Sequence, residues 1–415
     1  MTNRRIFLRN SALAMFGAGT APLWLERALY ASDAPSPRKK ILVAIFQRGA
    51  ADGLNIVVPH GEKAYYDLRP TLSVPRPSSA ADKRDDAAID LDGFFGLHPS
   101  LAPLKPLFDQ GHLAIVDAAG SPDPTRSHFD AQDYMESGTP GLKATASGWM
   151  NRALPAPDGK PSPVRAVALG AVLPRSLAGP EPAVAVQTLA GFQVRDAKAA
   201  REFEQMYEAA RDPVLSGMGR ETFEAVAMLQ TIQKQPWAPA GGASYPAGRF
   251  GDSLKQIAQL IKADVGMEVA FADIGGWDHH VNEMGQRASE GQLAVLLREY
   301  GQALAAFWRD MGDRMADVAL VTMSEFGRTA RENGNRGTDH GHANCMFAMG
   351  GAIRGGKVYG RWPGLQPEQL YESRDLALTT DFRDALGELV ARHLGNPTLA
   401  SVFPGYTPAF PGLLA

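Results

Sequence analysis

The chain has 415 residues, 45% of them hydrophobic and 21% charged, and 42 Lys and Arg against 45 Asp and Glu give a formal net charge of −3. That balance removes the electrostatic case for a nucleic-acid partner. The single cysteine, Cys345, excludes an internal disulfide, a cysteine-based zinc knuckle and an iron–sulfur cluster held by this chain, so any metal must be held by histidines and carboxylates.

The first segment reads as an address. Arg4 and Arg5 precede Phe7 and Leu8, and an apolar, small-residue stretch runs from Ser11 to Leu25. A positive start, a short apolar run and small residues near Ala31 and Ala34 have the form of an export signal. The Arg-Arg-x-Phe-Leu order resembles a twin-arginine leader, which is read by an export machinery that carries folded cargo. The run is shorter than the ~18 residues needed to span a bilayer and contains Pro22, so no membrane span is expected in the mature chain. Residues 1–34 are therefore expected to be signal and 35–415 a single domain with loop insertions, periplasmic or secreted.

After a polar linker, short continuous apolar runs recur at Ile41–Phe46, His112–Ala118, Val164–Gly170, Met267–Asp273, Asp317–Met323 and Cys345–Gly350. Such runs predict strands covered on both faces. Helical periodicity predicts helices at Asp196–Arg211, Glu221–Lys234, Gly251–Lys262, Gln286–Arg314 and Asp381–Leu394. Residues 70–95 and 155–190, rich in Pro, Ala, Gly and Ser, read as long surface excursions. Buried strands alternating with amphipathic helices imply an α/β fold with a mostly parallel sheet.

In such sheets ligands bind beyond the carboxyl ends of the strands, and that is where the unusual residues fall. Ile41–Phe46 leads into QRGAADGLN, with Arg48 and Asp52. HLAIVDA leads to PTRSHFDAQD, with Arg126, Ser127, His128 and Asp130. MEVAFAD leads to IGGWDHHVN, with Asp278, His279 and His280. DVALVTM leads to SEFGRT and RGTDHGHAN, with Glu325, Arg328, Asp339, His340 and His342. Five of the nine histidines sit in these segments, and neutral imidazole with ionised carboxylate is the donor set of a divalent ion.

Each motif also has a structural alternative. Asp52 can cap a helix between Gly49 and Gly53, Ser127 can do the same, and Glu325 can pair with Arg328. Asp278 and His280 alternate along an extended segment, so their side chains share one side. Asp339, His340 and His342 put three candidate ligands in four residues; the alternatives are a solvated loop at Asp278–His280 and a polar turn with satisfied imidazoles at Asp339–His342. No G-x-S-x-G elbow occurs, which argues against an ordinary serine hydrolase. Trp149 and Trp277 can stack on a sugar or serve as packing.

The ordered motifs RGAADGLN, TRSHFDAQD, GGWDHHVN, SEFGRT and GTDHGHAN, behind the twin-arginine leader, resemble the bacterial domain-of-unknown-function 1501 family, which looks like a branch of the alkaline phosphatase and sulfatase superfamily. The resemblance covers roughly Ile41 to Pro404. It implies an alkaline phosphatase-like α/β fold, with a mostly parallel central sheet and helices on both faces. It implies Asp52 as first-strand metal ligand and Ser127 as nucleophile, with Asp278, His280, Glu325, Asp339, His340 and His342 around one or two divalent ions (Zn, Mn, Mg or Ca). Arg48, Arg126 and Arg328 would neutralise an anionic ester. Ala50 departs from the family's usual glycine, and His279 replaces a usual hydroxyl residue. No Cys-x-Pro-x-Arg sequence is present, which disfavours a formylglycine sulfatase. The activity implied is exported, metal-dependent hydrolysis of phosphate or sulfate esters. The alternative is a non-catalytic metal-binding protein of envelope or polymer assembly.

Overall fold

Ile41–Arg48 forms the central strand, β1, and its sequence shows why: Ile41 to Phe46 are all 3% exposed or less. Ile41, Val43 and Ile45 enter one hydrophobic core while Leu42, Ala44 and Phe46 enter another, as the two-residue period of a strand buried on both faces requires. The computed structural model describes residues 38–78, 84–157, 159–191 and 213–414, with the side chains of 213–221 excepted. The expected signal at 1–34 and the expected helix Asp196–Arg211 lie outside the described residues.

All six predicted principal strands form. With β2 (Val57–Val58), β3 (Ile89–Asp90) and β4 (Gly96–Leu97) set aside in a small three-stranded sheet, the main sheet contains β1, β5 (Leu113–Gly120), β6 (Ala166–Leu169), β7 (Val184–Val186), β8 (Val269–Gly275), β9 (Val318–Ser324), β10 (Asn344–Gly350), β11 (Val358–Tyr359) and β12 (Thr380–Asp381). The order is β11-β5-β10-β9-β1-β8-β6-β7, with β12 beside β5. β1 runs parallel to both β8 and β9, and only β10 runs antiparallel to its neighbours β9 and β5. Helices cover both faces. Phe250, Leu254, Ile257 and Ile261 of the helix Arg249–Lys262, with Leu293, Leu297, Tyr300 and Leu304 of Gln292–Met311, pack on one side. Trp149, Met150, Phe382, Ala385 and Leu386 pack on the other. The expected α/β class, with a mostly parallel sheet and helices on both faces, is the one observed.

Several boundaries move for local reasons. The predicted helix Gln286–Arg314 is helical from Gln292, because Gly291 at φ 97° breaks the backbone before it. The predicted helix Asp381–Leu394 is α-helical over Phe382–Glu388 and continues as a π turn over Leu389–His393. The predicted helix Glu221–Lys234 belongs to one that starts earlier and stops a residue sooner, Pro213–Gln233. Residues 70–95 and 155–190 are not simply surface excursions. Leu72 and Val74 are fully buried, β3 pairs in the small sheet, and 155–190 contributes β6 and β7 to the main sheet. Both tryptophans are packing residues, at 0% (Trp149) and 1% (Trp277) exposure. Among the described residues no helix is long and apolar enough to cross a membrane.

Candidate metal centre

The strand register brings four distant segments to one edge. Gln47 pairs with Ser324 and Arg48 with Gly275, so β1, β8 and β9 end level with one another. The antiparallel β10 begins at that same edge with Asn344, and β5 ends there at Gly120. Past those ends lie Asp278 and His280 after β8, Glu325 and Arg328 after β9, His340 before β10 and His128 after β5. Gly49 makes the close fit possible. Its φ is 114°, and a Cβ there would stand 2.9 Å from the Asp278 amide nitrogen, so only glycine lets the 277–278 backbone approach β1.

Three imidazoles and one carboxylate converge at this edge. His340 Nε2 lies 3.0 Å from His128 Nε2, 3.0 Å from His280 Nε2 and 3.2 Å from Asp278 Oδ1. Asp278 Oδ1 is 2.9 Å from His280 Nε2, and Asp278 Oδ2 is 3.5 Å from His128 Nε2. The opposite ring nitrogens are all committed. His128 Nδ1 lies 2.9 Å from Glu325 Oε1, His280 Nδ1 3.0 Å from Asp339 Oδ1, and His340 Nδ1 2.9 Å from the Arg126 carbonyl. Each of those partners only accepts, so each Nδ1 carries a proton, and in the neutral ring that leaves the Nε2 lone pair for a cation.

Lone pairs facing one another at 3.0 Å are unfavourable without a cation among them. A tetrahedral zinc-type ion, with bonds of about 2.0–2.1 Å, sets its donor atoms roughly 3.3 Å apart, which lies within the 3.0–3.5 Å spacings among His128, Asp278 and His340. These three offer donor atoms within 4.8 Å of one another. His280 adjoins two of them as a further donor. The residues therefore fit a divalent ion, and carboxylates or carbonyls on the far ring nitrogens are the usual support of such ligands.

The electrostatics differ from ring to ring. Hydrogen bonding to Glu325 holds the His128 pKa above the ordinary histidine range. Burial pushes His340 below it. Burial alone would raise the Asp278 carboxyl, but the Arg328 guanidinium, donating at 2.6 Å, pulls it below its usual value. Burial would likewise raise Glu325, yet hydrogen bonds from His128, Gln132 and the Gly49 amide hold it low.

The remaining sequence candidates are placed otherwise. Asp52, 1% exposed, is not brought to the cluster; both its oxygens take hydrogen bonds from the buried Arg69, at 2.5 and 2.9 Å. Glu325 turns its Oε1 to the far side of His128 and supports that ring. Asp339 supports His280 in the same way. His342 is buried and stacks on Tyr371 with centroids 4.3 Å apart, away from the donor atoms. Ser127 is exposed and caps the helix His128–Ser137, accepting from the Asp130 amide at 3.5 Å. Arg126 is bound to Glu372 and Asp375, and Arg48 to Asp273, Gln132 and Glu136. Arg328 sits at the site but is paired with Asp278. His279 is buried with neither ring nitrogen partnered, its pKa pushed down to about 4 by burial, and it is not among the converging donors.

The ring the sequence reading left out of the ligand set is His128. A signal for it existed. Ser127 as cap, with Asp130 three residues on, puts His128 on the first turn of a helix that starts at the sheet edge.

The fold and donor set define an α/β protein with a histidine–carboxylate centre at the carboxyl edge of its sheet. The chain belongs to the family described as "Protein of unknown function (DUF1501)", whose model matches residues 112–398. No functionally curated protein matches it. Solved structures resemble it distantly. One is a protein in the alkaline phosphatase superfamily from Vibrio parahaemolyticus (11% identity, TM-score 0.35), covering 78% of this chain, which spans only 62% of that one. Another is the C-terminal periplasmic domain of EcEptC from Escherichia coli in complex with Zn (9% identity, TM-score 0.35), covering 77% of this chain and 74% of that one. A third is the PsFucS1 sulfatase from Pseudoalteromonas sp. (11% identity, TM-score 0.37), covering 96% of this chain and 72% of that one.

Proposed function

We propose that this protein is an exported, metal-dependent hydrolase of phosphate or sulfate esters. The observation that carries the reading is the convergence of three Nε2 atoms and the Asp278 carboxylate, each imidazole held from behind at its Nδ1. Bound there, a divalent ion supplies Lewis acidity to the oxygens of an ester. The chain's own residues do the rest. Glu325, Asp339 and the Arg126 carbonyl fix the tautomer of each ring, and Arg328 orients Asp278 while adding positive charge beside the reacting anion. Ser127, exposed next to His128, is the hydroxyl assigned as nucleophile, with water as the other nucleophile the site admits. In the net reaction water splits the ester into an alcohol and phosphate or sulfate. The twin-arginine leader supports export of the folded chain, a single domain over 35–415, to the periplasm or beyond.

A second reading, a non-catalytic metal-binding protein of envelope or polymer assembly, is favoured by one observation: Arg48 and Arg126 are already spent on carboxylates. Elemental analysis of the mature protein, purified without chelator, tests the metal site against an Asp278→Ala/His280→Ala variant. Near-stoichiometric metal that the folded variant loses supports the centre. No metal after incubation with Zn, Mn, Mg and Ca rejects both readings. A metal-loaded protein inert towards aryl phosphates and sulfates leaves the second reading standing.

A further inference from the structure

Beside the centre lies a cleft of about 320 Å³ that the site described above does not use, within the size range of small-ligand pockets. Its floor reaches Asp339, whose Oδ1 holds His280 Nδ1 at 3.0 Å, and Asn333, which donates to Asp339 Oδ1 at 3.2 Å and to the His280 carbonyl at 2.9 Å. The cleft is thus one side chain away from the metal-facing imidazole.

Its walls are fixed. The buried Arg69, besides pairing with Asp52, donates to the carbonyls of Thr329 and Ala330 at 2.8 and 3.0 Å. The Ala330 amide donates to the Arg374 carbonyl at 3.1 Å, tying the 329–333 wall to the 365–374 wall. On the second wall Glu372 and Ser373 are consecutive non-glycine residues, both at φ 53°. Strain of that kind persists only where surrounding contacts impose it, and it gathers at ligand clamps. Arg126 ties this wall to the centre, holding Glu372 and Asp375 while its own carbonyl holds His340.

Charge gives the cleft its chemistry. The exposed Arg331 has no side-chain partner among the described residues. Arg374 makes only long contacts, 3.3 Å, with Asp375, whose carboxylate already serves Arg126. The acidic residues present are committed elsewhere: Glu332 accepts from Thr71 and the Leu72 amide, and Asp339 serves His280. Leu68, Leu365 and Leu370 supply an apolar side. Two guanidiniums over an apolar wall suit a carboxylate, sulfate or phosphate carried on a small organic body.

We propose that this cleft binds the part of the ester beyond the scissile bond, and that Arg331, with Arg374, selects substrates bearing a second anionic group there. The inference rests on the hydrolase reading for the reaction but not for the binding. The test compares phenyl phosphate with 4-carboxyphenyl phosphate, and the matching sulfates, in the metal-loaded protein. The wild type is expected to show a KM about tenfold lower for the carboxylated ester, and Arg331→Ala and Arg374→Gln to collapse that ratio towards one at unchanged metal content. Lys255→Ala, the same charge change on the helix Arg249–Lys262, controls for net charge and should keep the ratio. An equal ratio in wild type and Arg331→Ala overturns the proposal. If neither ester is turned over, the hydrolase reading fails and calorimetry with 4-carboxyphenylphosphonate decides the cleft. Binding weakened about tenfold by Arg331→Ala supports it; binding that is absent or indifferent to Arg331 overturns it.

Discussion

Glu325→Gln separates a supporting carboxylate from a ligand. Glu325 is 1% exposed, and its Oε1 alone accepts from the Gly49 amide at 2.8 Å, His128 Nδ1 at 2.9 Å and Gln132 Nε2 at 2.9 Å. Glutamine can leave its oxygen in that position and turn its amide towards Ser324 Oγ, which lies 3.1 Å from Glu325 Oε2. The fold should survive, because no buried donor loses its acceptor. What disappears is the charge behind His128. A charge-assisted hydrogen bond is roughly twice as strong as a neutral one, and losing such support typically weakens metal affinity by about 10–100-fold, or roughly 1.4–2.7 kcal/mol. Competition with a chromophoric chelator reads this directly, with His128→Ala as the comparison. The cobalt-loaded protein adds a second readout, since its visible band should keep its position and intensity in Glu325→Gln if the ligand number is unchanged. An affinity within twofold of wild type would refute a supporting role. A cobalt spectrum altered as in His128→Ala would show that Glu325 is itself a ligand.

Three further outcomes follow from the same geometry. Arg69→Met strands the Asp52 carboxylate in the interior, beside the buried Glu283. The Glu283 pKa is raised well above its usual value by burial and by Asp52, and removing one partner of a buried pair costs about 3–5 kcal/mol; a urea midpoint implying a loss under about 1 kcal/mol would contradict it. Asp117 on β5 is buried, its Oδ2 lacks a partner, and burial pushes its pKa up to about 7. Between the ordinary carboxyl range and about 7 the folded chain keeps a proton the unfolded chain has released. Stability therefore falls as pH rises through that window and stays reduced above it. Asp117→Asn should match wild type near pH 4 and exceed it at about pH 8, by at most about 4 kcal/mol, in urea denaturation; a difference independent of pH would sink this account. Ser127→Ala removes a long cap hydrogen bond and should cost about 0.5–1 kcal/mol of stability. If Ser127 is the nucleophile, ester turnover is lost with metal retained, whereas full turnover would leave water as the only nucleophile.

The sheet was legible because its six main strands are continuous apolar runs, which have few other uses in a folded chain. The site was legible as a set of segments and less so as a set of roles. Asp52 and Glu325 show why. The motif around Asp52 is local, but its partner Arg69 lies 17 residues on with no motif of its own, and only tertiary packing shuts both away from solvent. Glu325 and Arg328 could pair within one turn, yet they exchange partners across the edge, Glu325 taking His128 and Arg328 taking Asp278. Such choices depend on distances between strand ends that no spacing in one segment encodes. Ala50 is the converse case. It stands where the family's motif usually has glycine, and its φ of 62° is the conformation that a glycine would favour. Its methyl group is buried against Ala131 and Phe326, which offsets that strain.

The direction of β10 decides whether the centre exists at all. The segment between Ser324 and Asn344 leaves β9 and returns to β10 at the same edge, because the two strands are antiparallel. It can therefore stay on that edge and fold over it. The Gly327 amide donates to the His342 carbonyl and the Gly341 amide to the Gly327 carbonyl, each at 2.8 Å, so the outgoing and returning limbs zip together. A parallel β10 would have required a crossover carrying the chain to the opposite edge before the strand began. His340, four residues before β10, would then lie a strand length away from Asp278 and His128, and the same motif would have had no partners.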